Sequence, residues 1–205
     1  MNTIRTRTRL ASLVAGSAFA VAGVFGTPLA AMAADTHPST TASTTSVVTV
    51  ADHKTSVPSD KDLHPVAVTA DQQTFTPTGE QLRNAKAIVD AGKALNLPPR
   101  AWEIAVATSL QETGLKNIGD LGDANDHDSL GLFQQRPSSG WGTPDQLTDP
   151  TYASTAFYKA LVQVPGWDHM ALTDAAQAVQ VSAFGDRYAQ WEKQAADLVQ
   201  ANSTK

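Results

Sequence analysis

Glu112 ends a stretch, residues 99 to 113, in which Trp102, Ala105, Val106, Ser109 and Leu110 recur at spacings of three and four, and Gly114 follows. The spacing predicts a helix with Glu112 in its last turn and Gly114 just beyond, where φ is often positive. A carboxyl there faces the negative end of the helix dipole, and Leu110 and Leu115 beside it would withdraw water. Both effects favour the protonated form, which can give a proton to a leaving oxygen at near-neutral pH. A solvated glutamate at a helix end is the plain alternative. Twenty-two residues on from Glu112 comes Gln134, in Ser129-Leu130-Gly131-Leu132-Phe133-Gln134-Gln135. This is a glycine-containing apolar turn ending in two amides. An amide both donates and accepts, which suits the N-acetyl and hydroxyl groups of a sugar.

Gln111-Glu112-Thr113-Gly114, a loop, and Ser129-Leu130-Gly131-Leu132-Phe133-Gln134 together resemble the soluble lytic transglycosylase and lysozyme-like superfamily. The likeness extends to Gly-Leu-Phe-Gln-Gln-Arg-Pro-Ser at 131–138 and Gly-Trp-Gly-Thr at 140–143, and covers about residues 80–195. It implies a secreted peptidoglycan-active domain that cleaves the β-1,4 bond between muramyl and glucosaminyl sugars. Within it Glu112 is the acid/base, Gln134 contacts the N-acetyl sugar, and Gly131 lets the backbone approach substrate. Ser129, Gln135 and Gln180 join the expected substrate-binding set, and no cofactor is implied. Two departures stand out: Thr113 occupies a position where the family has serine, and the late-helix Ala-Tyr-Asn-Ala-Gly motif corresponds here to Ala178-Val179-Gln180-Val181-Ser182. The motif's tyrosine is missing, and Tyr158 or Tyr188 are the candidates to supply its hydroxyl.

The resemblance leaves three activities open. Two-carboxylate hydrolysis needs a second carboxylate about 5–5.5 Å away for retention or about 6.5–9.5 Å for inversion. Asp120, Asp123, Asp126 and Asp128 lie in the following loop, but aspartate is an ordinary loop former. A transglycosylase avoids that requirement, because the substrate's N-acetyl group assists and the muramyl 6-hydroxyl closes a 1,6-anhydro ring. Glu112 then acts as acid and afterwards as base, and this is the preferred expectation. A cleft of the same fold that grips glycan without cutting it is the third. Trp141, between two glycines, is a candidate platform for a pyranose face, with loop anchor as its plain alternative. Trp102 and Trp191 sit in helical stripes and are expected in the core.

The acidic loop does not fit a calcium site: position six counted from Asp123 is Asp128 rather than glycine, and position twelve is Gln134 rather than glutamate. Of five histidines, His127 and His169 are isolated and the rest precede the domain. No metal is expected.

The elements that must carry these residues are helical. Thr78-Gly79-Glu80-Gln81 is a capping-box pattern opening a helix over about 79–95. Asp149-Pro150 opens a third helix whose stripe is Tyr152, Ala156, Phe157, Ala160, Leu161 and Val164. Thr173 is placed to cap a fourth with Ala176, Val179 and Ala183 inward. Tyr188, Trp191, Ala195, Leu198 and Val199 mark a last one. Only 130–134 has a claim to be a strand, so the class is all-α, or α with minimal β.

The N-terminal part reads differently. Arg5, Arg7 and Arg9, an apolar run from Leu10 to Phe25, and Ala31-Met32-Ala33 make a signal peptide over 1–33, cleaved before Ala34. The Ser/Thr/Pro-rich segment 34–77 reads as a disordered linker, leaving a domain at 78–205. That domain carries 10 Lys/Arg against 15 Asp/Glu, which argues against nucleic acid and anionic membranes as partners. Without any cysteine, an exported domain depends on its core rather than on disulfides. A secreted or wall-associated monomer acting on peptidoglycan glycan strands, with no membrane insertion after cleavage, is the expectation.

Overall fold

The structure, a computed structural model, describes residues 56–204 apart from 126 and 182–185. The expected signal peptide and most of the linker lie outside the described residues. Seven α-helices are described: α1 (Asp60–Leu63), α2 (Gly79–Ala94), α3 (Pro99–Thr113), α4 (Pro144–Leu147), α5 (Pro150–Leu161), α6 (Leu172–Gln180) and α7 (Glu192–Ser203). Short 3-10 turns fall at Gly122–Ala124, Pro137–Ser139, Trp167–His169 and Arg187–Trp191. Among the described residues there is no sheet, only two isolated bridges, Ile118 with Gly131 and Leu130 with Gln135. The one expected strand is therefore a bridged turn.

Helix α3 is the centre of the fold. Pro99 at its first turn leaves no amide hydrogen to satisfy there. Ala101 and every residue from Glu103 to Leu110 are buried, so this helix is covered on all sides, as its nearly continuous apolar and small side chains require. It packs against α1, α2, α5, α6, α7 and the turn Arg187–Trp191. Its C-terminus is closed by Gly114 at φ 61°, whose amide donates to Leu110 O, while Leu115 N donates to Ser109 O. Two α2 side chains take the next carbonyls: Gln81 Nε2 donates to Gly114 O at 2.7 Å and Asn84 Nδ2 to Leu115 O at 2.9 Å. Carbonyls that a helix end leaves orphaned are thereby satisfied.

Helix α2 keeps its expected start, with Thr78 N donating to Gln81 Oε1 and Gln81 N to Thr78 Oγ1. In α5, Asp149 Oδ1 accepts from Thr151 N and Tyr152 N as expected. The buried face of α5 is rotated from the predicted stripe: Ala153, Ser154, Phe157, Tyr158 and Leu161 point inward while Tyr152 is exposed. Tyr158 wins the core place because its hydroxyl finds Ile88 O at 2.9 Å, a partner that spacing cannot reveal. Phe133 and Phe157 stack at 4.9 Å, fixing the glutamine segment to α5.

Helix α6 begins at Leu172 with Ala171 at its cap, so Thr173 is not the N-cap. It ends at Gln180, with Val181 at φ 51°. The expected inward Ala183 lies outside the described residues. Helix α4, capped by Thr143 and Gln146 in a reciprocal box, was not anticipated from the sequence.

A larger correction concerns residues 56–77, which are part of the packed body rather than linker. Leu63 is fully buried, its carbonyl accepts from Arg100 Nη1 at 2.6 Å, and Phe75 exchanges hydrogen bonds with Gln194 through both its amide and its carbonyl. Composition shows the Ser, Thr and Pro of this stretch but not the sockets awaiting Leu63 and Phe75. Among the described residues no helix is long and apolar enough to cross a membrane.

Candidate active site

Glu112 lies where α3 leaves the core: Ser109 and Leu110 are buried, whereas Gln111 to Gly114 are partly exposed. Its Oε1 accepts from Tyr188 Oη at 2.8 Å and from Gln180 Nε2 at 3.3 Å. Gln180 Nε2 also donates to Phe133 O at 2.8 Å. One amide thus ties the carboxyl to the backbone of the glutamine segment. Thr113 adds a second tie to the same turn, its hydroxyl donating to Leu132 O at 3.1 Å. Glu112, Gln180 and the Leu132–Phe133 backbone come together from three separate stretches of chain.

Of the two candidate tyrosines, Tyr188 is the one that reaches Glu112. Its ring is buried and only its hydroxyl serves the carboxyl. Tyr158 is fully buried, which pushes its phenol well above the ordinary value, and its hydroxyl is committed to Ile88. The turn bearing Tyr188 is braced next door: Gln190 Nε2 and Trp191 Nε1 both donate to Gln111 Oε1, at 2.7 and 2.9 Å. Trp191 is accordingly half-buried with a polar duty, and Trp102 is half-buried against the core.

The other expected substrate residues divide. Gln134 is half-buried at φ 50°, a left-handed conformation uncommon outside glycine, and its amide donates to Gly131 O at 3.2 Å. Gln135 turns inward instead, 2% exposed, with its amide on Ala153 O, and Ser129 is buried at 6%. These two are turned into the protein, and Gln134 alone of the segment 129–135 is half-buried. Gly131 is required for a reason internal to the fold: at φ 72°, a Cβ there would lie 1.9 Å from Leu147 O. Trp141 is half-buried against the core, and its carbonyl accepts from Tyr152 Oη at 3.4 Å. Val181, directly after Gln180, is a β-branched residue in left-handed conformation, a local strain of the kind that gathers at functional sites.

Among the loop carboxylates, Asp128 is fully engaged. Burial opposes its ionisation, yet hydrogen bonds from Arg136 and Ser138 hold it well below the usual carboxylate range. It clamps the 128–138 loop. Elsewhere, His64, Glu103 and Glu192 bring donor atoms within 4.8 Å of one another. Arg100 Nη1 stands between the two carboxylates, 2.8 Å from Glu103 Oε2 and 3.2 Å from Glu192 Oε1, and supplies the positive charge that a metal would otherwise bring. Sequence reading missed this cluster because His64 lay in the presumed linker.

No protein-family model matches the chain, and no curated protein matches it.

Proposed function

We propose that the chain is an exported peptidoglycan muramidase of the lysozyme-like, lytic transglycosylase kind, with Glu112 as its single acid/base. The observation that carries this reading is the Tyr188–Glu112–Gln180 bridge, because it holds one carboxyl oxygen in place beside the glutamine segment that the resemblance assigns to the N-acetyl sugar. A fixed carboxyl at a half-exposed helix end suits a group that must meet the glycosidic oxygen in one orientation.

In the proposed reaction Glu112 gives a proton to the leaving glucosaminyl oxygen as the muramyl C1–O bond breaks. The substrate's own N-acetyl oxygen supports C1 while the bond opens. Glu112, now a carboxylate, takes the proton from the muramyl 6-hydroxyl, whose oxygen closes on C1. The proton is returned and no water is consumed. The engagement of Asp128 with Arg136 and Ser138 gives one of the four loop candidates for a second carboxylate a structural duty, and the single-carboxyl course needs none of them. Gln134 and Trp141 remain the proposed sugar contacts.

The full chain digesting purified peptidoglycan should release muropeptides with anhydro-muramyl ends by mass spectrometry, and Glu112→Gln should lower release by about 10²–10⁴-fold with an unchanged circular-dichroism spectrum. Reducing ends alone would make the protein a hydrolase. Glycan binding without any release, in the wild type, would make it a wall-binding module.

A further inference from the structure

Residues 64–75 cross the molecule as a strap held at its two ends. At one end is the ion cluster. His64 Nδ1 lies 3.1 Å from Glu103 Oε1 and 3.8 Å from Glu192 Oε1. Arg100 joins both carboxylates and also donates to Leu63 O and Met170 O. Glu103 is fully buried and Arg100 and Glu192 nearly so. At the other end Gln72 Nε2 donates to Ala189 O at 2.9 Å, Gln73 N to Gln190 O at 2.7 Å, and Lys193 N to Gln72 Oε1 at 2.8 Å. Phe75 meets Trp191 edge-on at 5.9 Å. Pro65, Val66, Ala67 and Thr69 between the two ends are exposed, with a small cavity beneath them bordered by Ala171, Leu172 and Ala189.

The far end grips the 3-10 turn Arg187–Trp191, whose other side presents Tyr188 to Glu112 and Gln190 and Trp191 to Gln111. The turn is therefore sandwiched between the strap and the end of α3. At the near end, two carboxylates facing one guanidinium leave a deficit of one positive charge in a dry place. The groups that face His64 are Arg100 and Glu103 from α3 and Glu192 from α7. A protonated imidazole completes the balance.

We propose that the strap is a positioning element for the Glu112 site and that His64 is its proton-operated latch, closed when the imidazole is charged. Two shifts support the sign. The Glu103 carboxylate, whose Oε1 lies 3.1 Å from Nδ1, raises His64 above its ordinary value against the opposing effect of burial, and burial raises Glu103 against the pull of His64 and Arg100. A group whose folded value is raised contributes its full stabilisation at pH below the unfolded value, and loses it as pH rises through the folded one. The strap should therefore be tightest in mildly acidic solution and loosen towards alkaline pH.

The effect on catalysis rests on the function proposed above, but the latch itself is read without activity. Hydrogen exchange by mass spectrometry on the full chain, corrected for intrinsic rates, should show protection falling together in 64–75 and 187–191 between pH 5.5 and pH 9. The fall is about tenfold for each unit that docking raises the His64 value. His64→Gln should be poorly protected in both segments at both pH values. Gln72→Ala should keep the pH-dependent protection around His64 while losing it at 187–191, with muropeptide release severalfold lower. Wild-type protection that is flat with pH overturns the latch, and loosening of 64–75 without any change at 187–191 overturns the positioning role. If no preparation releases muropeptides, the muramidase reading fails while the exchange data still decide the strap.

Discussion

Tyr188 illustrates what a single side chain contributes here. Its ring belongs to the core and its hydroxyl to Glu112, so the two roles separate under substitution. Tyr188→Phe should leave the melting temperature within a few degrees of wild type, because the buried ring is kept. Loss of a hydrogen bond to a carboxylate, worth about 1.5–3 kcal/mol, should lower muropeptide release by about ten- to a hundredfold, as read by chromatography of digests. Release at the wild-type rate would show that the hydroxyl is decorative. The position of Glu112 at the end of α3 was legible because its signals are local: an apolar helix and a terminal glycine. Tyr188 was one of two candidates because nothing local distinguishes a phenol aimed at Glu112 from one aimed at Ile88. Ser129 and Gln135 were placed on the wrong side of their turn for a related reason. Two isolated bridges, rather than a regular strand, set which amide faces out.

Among the elements, the turn at 130–135 depends on neighbours remote in sequence. Gly131 accepts the close approach of Leu147 O from the end of α4, a helix with only four residues and hence no periodicity to read. Gly131→Ala combines a left-handed backbone with a backbone clash and should destabilise by about 2–4 kcal/mol, measured by urea denaturation; a change under about 0.5 kcal/mol would mean the turn yields freely. Helices with strong end signals were legible: α2 from its capping box, α3 from Pro99 and Gly114, α5 from Asp149-Pro150. The face of α5 was not, since a tyrosine at 152 and one at 158 look equally apolar until Ile88 O is known. The cap of α6 moved because Thr173, eligible by type, lies inside a helix that the chain starts at Leu172.

At the scale of the whole molecule, the body extends beyond the boundary that composition suggests. Cutting at residue 78 removes Leu63 and leaves Arg100, Glu103 and Glu192 without His64 and the Leu63 carbonyl. Burial of one leucine is worth about 1.5–3 kcal/mol, and stripping one partner from a buried ionic group costs about 3–5 kcal/mol. A fragment 78–205 should thus unfold at lower denaturant than one of 56–205 by several kcal/mol at pH 6, and equal midpoints would return 56–77 to the status of spacer. Disorder-like composition concealed these residues because their anchoring rests on a few scattered points, among them Pro58, Leu63, His64, Gln72, Gln73 and Phe75.

Helix α3 has Arg100 in its first turn, Glu103 just after it and Glu112 in its last turn, with its flanks walled by small side chains such as Ala101, Ala105 and Ala107. Fifteen residues make a rod of about 22 Å, and a rod without free space around it can tilt or slide but cannot bend away a disturbance. A methyl group too many at Ala105 would therefore register at the far tip, as a Glu112 carboxyl shifted against Tyr188 and Gln180, which the substitution never touches.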